Sequence, residues 1–156
     1  MTPRAFLSLG SNLGDRAEHL RAAVAAVAVH DPYRLSRVYE TEPVGGVAQD
    51  DFWNLVMELT TAVTPWELLE RAQDVEKARH RTRDVRWGPR TLDVDVLWVD
   101  GFTSADPRLT LPHPRAMERA FVVVPWRELA PDLISEADVA RAAGRVVVLD
   151  TLEMLH

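Results

Sequence analysis

Apolar positions recur with two different periods along this chain. They alternate in short runs at residues 5–10 (AFLSLG), 34–41 (RLSRVYET), 53–61 (WNLVMELTT) and 91–99 (TLDVDVLWV), the period of strands. Between them, Leu20, Val24 and Val27 recur at helical spacing behind Asp15, which predicts a capped helix over 16–29. Leu68, Ala72 and Val75 do the same over 64–79. There Thr64 stands at the N-cap, Pro65 at the first helical position and Glu67 at the capping-box position. Gly10 closes the first strand in this reading, and Pro43 with Gly45 and Gly46 makes 42–51 a loop. Asp100-Gly101 reads as a hairpin turn. The stretch 110–133 mixes short helical pieces with prolines, and the tail offers either a last strand or a short helix.

The order β-α-β-β-α-β predicts an α/β (α+β) sandwich, a ferredoxin-like split βαβ antiparallel sheet with helices on its faces. At 156 residues the expectation is a single domain over 1–156. The chain has no cysteine, so any metal must be held by oxygen or imidazole, which favours hard cations. A net charge of −6 argues against general nucleic-acid binding. No apolar run suits a signal peptide or a bilayer span, so a cytoplasmic protein without membrane partners is expected.

Residues 91–99 hold the chemistry that needs explaining. Alternation puts Leu92, Val94, Val96 and Trp98 on one face and Asp93, Asp95, Leu97 and Val99 on the other. Two carboxylates at i and i+2 are either an exposed edge strand or a platform for cations. Just before them, Lys77, Arg79, Arg81, Arg83, Arg86 and Arg90 supply six of the chain's 18 Lys and Arg. Carboxylates beside guanidinium forks suit a magnesium-bound polyphosphate. No phosphate loop of the G-x-x-x-x-G-K-[ST] type is present.

The run RWGPRTLDVDVL closely resembles the signature of the 6-hydroxymethyl-7,8-dihydropterin pyrophosphokinases of folate biosynthesis. LSLGSNLGDR, YETEPVG, FWNLVMEL and RLTLPHPRAMERAFVVVPWRELAPDL agree in order, over about Phe6 to Leu133. The resemblance implies pyrophosphate transfer from ATP to the pterin's hydroxymethyl oxygen, with release of AMP and two Mg2+ ions held by Asp93 and Asp95. It implies that Arg81, Arg83 and Arg90 hold phosphate oxygens, and that Trp87 closes over the substrates. The pterin would be met by Thr41, Glu42, Val44 and Asn54, with Phe52 and Phe121 on its faces. The nucleotide would be met by Gln73, Glu76, Arg108, Thr110, His113 and Arg119. ATP and the pterin would be the only partners of a monomer. His80 and Pro114 depart from the family's pattern.

Read alone, several of these residues have plainer uses. Asn54 could equally bond a neighbouring loop, Phe121 could be core, and His113 between two prolines could be a turn histidine. Three other functions fit parts of the pattern: single-stranded RNA binding, two-metal phosphohydrolysis, and a catalytically silent sensor.

Overall fold

The strand β1 (Arg4–Ser11) runs through the centre of the sheet, and seven of its eight residues are buried. In the computed structural model, which describes residues 2–42, 51–79 and 91–156, β1 continues through Gly10 rather than ending there. The helix α1 (Arg16–Ala28) follows, its first turn capped by Asp15, whose carboxylate accepts the Glu18 N–H at 3.1 Å. Leu20, Val24 and Val27 are all buried beneath it.

The predicted second strand is two short ones, β2 (Tyr33–Leu35) and β3 (Tyr39–Thr41). The chain leaves the ladder between them because Val38 has another partner. Its N–H donates to the Asp150 carbonyl at 2.8 Å, and its carbonyl accepts the Leu149 N–H at 2.9 Å. Ser36 repairs the gap, its Oγ accepting the Val56 N–H.

Next come β4 (Phe52–Thr60), α2 (Pro65–Arg79) and β5 (Asp93–Val99). The Thr64 hydroxyl accepts the Glu67 N–H at 3.1 Å, as the capping pattern requires. A hairpin of β6 (Ser104–Asp106) and β7 (Leu109–Leu111) leads through a 3-10 turn (Ala116–Glu118) into α3 (Ala120–Leu129). The helix α4 (Glu136–Arg141), the strand β8 (Val146–Val148) and a final 3-10 turn (Leu152–Met154) complete the chain. The tail is thus both a strand and a short helical turn.

The sheet order is β5-β1-β4-β3-β8, with β2 also on β4, and every pairing is antiparallel. Within each βαβ unit one strand is inserted between the pair: β4 between β1 and β2–β3, and β1 between β4 and β5. That is the split βαβ pattern. One face packs Leu7, Leu9, Leu55 and Met57 against Leu20, Leu68 and Ala72 of α1 and α2. The other packs Phe6, Val56 and Leu97 against Val122, Val123 and Trp126 of α3.

The stretch 110–133 holds helical pieces among prolines, as expected: a 3-10 turn and then α3, with Pro125 inside α3. An interior proline costs about 3 kcal/mol. Full burial of an apolar side chain stabilises by roughly 1.5–3 kcal/mol. Val122, Val123, Trp126 and Leu129 are buried on this helix and outweigh that cost.

The face assignment of β5 needs a correction. Phe6 pairs with Trp98 and Leu7 with Val96, so Leu97 is an extra residue, a β-bulge. Beyond a bulge the two faces exchange. Leu97 and Trp98 both pack on the α3 side, and Val99 returns to the α1–α2 core.

Candidate active site

The register places Asp93 opposite Gly10 and Asp95 opposite Ser8. Asp93 is half-buried and Asp95 exposed, on the face of β1 that carries only small side chains there. The strand is at the sheet edge, as the plain reading of the two aspartates requires. Its outer edge is nevertheless covered. The Glu76 carboxylate of α2 accepts the Val94 N–H at 2.9 Å, and the His113 N–H donates to the Leu97 carbonyl at 2.9 Å. Backbone groups on both sides of Asp95 are therefore held in place.

His113 is more than a turn residue. Its Nδ1 accepts the Arg115 N–H at 3.2 Å, so the neutral ring carries its proton on Nε2. Burial pushes its pKa below the ordinary value. The Asp95 carboxylate pulls it back up, while the Arg119 and Arg115 guanidiniums push it further down. His113 thus sits within the electrostatic reach of Asp95 and of two arginines.

Across β1 from Asp93 lies Asn54, which pairs with Gly10 from the other side. Asp93, Gly10 and Asn54 form one row over three strands. Two strand spacings make the row roughly 10 Å wide. Asn54 is buried, and its Nδ2 donates to the Thr41 hydroxyl at 2.8 Å. The amide lies across Gly10 so closely that a Cβ there would stand 2.5 Å from Asn54 Oδ1 and 3.8 Å from the Phe52 ring. Gly10 is therefore required by close approach. A glycine inside a strand is the signal for this, and reading it as a strand end missed it.

The remaining predicted residues divide by position. Phe52 shares the Asn54 face by alternation and is half-buried. Glu42 is exposed. Phe121, in the first turn of α3, packs at the margin of the second core with the Arg119 guanidinium 5.7 Å from its ring centre. Gln73 is exposed one turn before Glu76 on α2.

Arg108 and Thr110 face elsewhere. Arg108 forks the Asp106 carboxylate at 2.9 and 3.2 Å and lies 5.0 Å over the Trp66 ring. The Thr110 hydroxyl donates to the Asp106 carbonyl. Trp66 and Glu76 are ten residues apart on α2, roughly 15 Å along its axis. Arg108 thus stands at the end of α2 away from the aspartates. Val44, Arg81, Arg83, Trp87 and Arg90, with His80, lie outside the described residues.

The donor set suits a hard cation. No group of three His, Asp or Glu side chains gathers around one point among the described residues. Magnesium needs no such cage, since one or two carboxylates with substrate phosphates and water complete its octahedron. Two carboxylates on one strand face, with no thiolate donor in the chain, fit that demand.

Comparison with known proteins concerns the chain as a whole. A relative from Bacillus subtilis, named 2-amino-4-hydroxy-6-hydroxymethyldihydropteridine pyrophosphokinase, is 43% identical over 139 residues, covering 87% of this chain and 83% of its own. One of the same name from Methylorubrum extorquens is 45% identical, covering 90% of each chain. Among solved structures, an HPPK-DHPS in complex with substrates superposes with a TM-score of 0.65 over 90% of this chain, at 12% identity. That likeness concerns the fold, and the chain spans 42% of that larger protein. The profile of one family, 7,8-dihydro-6-hydroxymethylpterin-pyrophosphokinase (HPPK), matches residues 6–131, and the chain belongs to that family.

Proposed function

We infer that this chain transfers pyrophosphate from ATP to the hydroxymethyl group of 6-hydroxymethyl-7,8-dihydropterin in folate biosynthesis. The observation that carries this at the level of residues is the row Asp93–Gly10–Asn54. It sets a buried amide at one end and paired carboxylates at the other. A fused two-ring heterocycle with a one-carbon arm has the length to reach from one to the other.

In this reading Asn54 and Thr41 meet the edge of the pterin, and Phe52 and Phe121 bound its faces. The Gly10 backbone forms the floor between them. The arm then ends beside Asp93 and Asp95. The hydroxymethyl oxygen attacks the β-phosphorus in line, a new O–P bond forms, and the bridging bond to the α-phosphate breaks. AMP leaves with that electron pair, and a carboxylate of the pair accepts the hydroxyl proton. Magnesium, held by Asp93 and Asp95, would neutralise phosphate oxygens and acidify the attacking hydroxyl.

The nucleotide lies beside the aspartates, near Gln73 and Glu76 of α2. Arg108 and Thr110, which the family motif adds, reach it by leaving their contacts with Asp106. His113 lies within the electrostatic reach of Asp95 and of Arg119, and an imidazole N–H with a guanidinium suits phosphate oxygens. The family motif adds Arg81, Arg83 and Arg90 as phosphate holders, Trp87 as part of the closure, and Val44 beside the pterin.

AMP release from MgATP tests the function. AMP that forms only when both magnesium and 6-hydroxymethyl-7,8-dihydropterin are present is the expected result. AMP formed equally without the pterin would mean water is the nucleophile, and the function would be hydrolysis.

A further inference from the structure

The turn SNLGD and Arg16, which opens α1 directly after it, are unaccounted for by the chemistry above. Gly14 takes a positive φ of 71°, and Asp15 caps the helix. Those two features fix where the next side chain starts. Arg16 reaches across to β4, where its guanidinium lies 4.3 Å over the Trp53 ring and donates to the Asp51 carbonyl at 2.8 Å. The Trp53 indole N–H in turn donates to Glu40 Oε2 of β3 at 3.1 Å.

These contacts tie α1 to β4 and β4 to β3 on the α1–α2 side of the sheet, where Trp53 packs against the first core. The register places Glu40 directly opposite Trp53. On the other face, one residue along on each strand, Thr41 and Asn54 make their own bond at 2.8 Å. Phe52 lies opposite Thr41 and immediately before Trp53. Any slip or twist of β4 against β3 that loosens Trp53 from Glu40 therefore displaces Asn54 from Thr41.

We propose that Arg16, Trp53 and Glu40 are positioning residues for the pterin site, a staple behind the sheet that fixes Thr41, Phe52 and Asn54 in front of it. This rests on the pterin reading given above. None of the three touches the substrate. Arg16 is the member that can be tuned, since lysine keeps the charge and a donor for the Asp51 carbonyl but cannot lay a planar group on Trp53.

The test is direct binding of 6-hydroxymethyl-7,8-dihydropterin to the full chain saturated with magnesium and a non-hydrolysable ATP analogue. Affinity for that analogue and thermal unfolding are measured beside it. Arg16→Ala is expected to weaken pterin binding roughly tenfold while nucleotide affinity stays within about twofold, with Arg16→Lys between Ala and the parent. Trp53→Phe keeps a ring under Arg16 but cannot donate to Glu40, and should show the same selectivity with a smaller effect, which guards against Arg16→Ala failing to fold. Asn54→Ala, measured in parallel, checks the underlying site. If Asn54→Ala weakens the pterin and the Arg16 and Trp53 variants do not, the staple is overturned. Equal weakening of pterin and nucleotide in the Arg16 and Trp53 variants would also overturn it, since that is general loosening. No effect from Asn54→Ala would overturn the pterin reading itself.

Discussion

The Glu76 carboxylate accepts the backbone N–H of Val94 at 2.9 Å, on the one residue that separates Asp93 from Asp95. A helix thereby holds the outer edge of a strand at the point where two acidic side chains must keep a fixed separation. Removing this acceptor leaves an edge N–H to water and lets the strand shift. Glu76→Ala is expected to raise the magnesium concentration for half-maximal AMP release roughly tenfold, as loss of a charged hydrogen bond of about 1.5–3 kcal/mol implies. Glu76→Gln keeps an acceptor oxygen and should lose less. A magnesium titration of both variants checks this, with hydrogen exchange at the Val94 amide as a structural readout.

Gly10 admits no side chain where Asn54 crosses it. Gly10→Ala would place a methyl group 2.5 Å from Asn54 Oδ1, so the amide must move off Thr41 or β1 must give. Overpacking of this kind typically costs about 1–3 kcal/mol. The variant should unfold at lower temperature and bind pterin far less well, while binding the ATP analogue with less change. Calorimetric titration with each ligand separates the two effects.

Acid should weaken the end of β5 as Asp100 takes up a proton. Burial raises the Asp100 pKa, but bonds from the Trp98 indole, the Arg4 N–H and the Arg4 guanidinium outweigh it and hold the carboxyl below its ordinary value. A carboxylate depressed in the folded state contributes stability above its unfolded pKa and loses it as pH falls through the folded one. The parent should therefore lose stability on acidification more steeply than Asp100→Asn. Denaturant midpoints of both proteins between neutral and acid pH test the sign, and parallel curves would contradict it.

Leu97 is the bulged residue of β5 and is fully buried against α3. Leu97→Ala should destabilise by about 2–5 kcal/mol, the range for core leucines. Denaturant unfolding of the variant measures the loss.

The helices and the long strands were readable because their partners are regular. Leu20, Val24 and Val27, or Leu55, Met57 and Leu59, need only a flat apolar surface, and period alone reveals them. The break between β2 and β3 was not readable, since Val38 leaves the ladder for Leu149 and Asp150, more than a hundred residues on. The bulge at Leu97 was hidden for a similar reason. It exists only in the register with Phe6 and Leu7, and it exchanges the faces of Trp98 and Val99. At the site, the pair Asp93 and Asp95 follows from strand alternation, while Asn54 and Thr41 were reached through a family motif. Gly10 and Glu76 show the limit. A strand glycine and a helix carboxylate take their meaning from neighbours in space, an amide in one case and a backbone N–H in the other.

The central claim is that Asp93 and Asp95 form a metal platform rather than a solvated strand face. It is tested most directly by magnesium-dependent AMP release from ATP and 6-hydroxymethyl-7,8-dihydropterin by Asp95→Asn beside the parent protein. With unfolding temperature unchanged, the predicted result is a fall of roughly 10²-fold or more, since lost metal stabilisation amounts to several kcal/mol. Near-normal turnover by Asp95→Asn would contradict the account and return the two aspartates to an ordinary sheet edge.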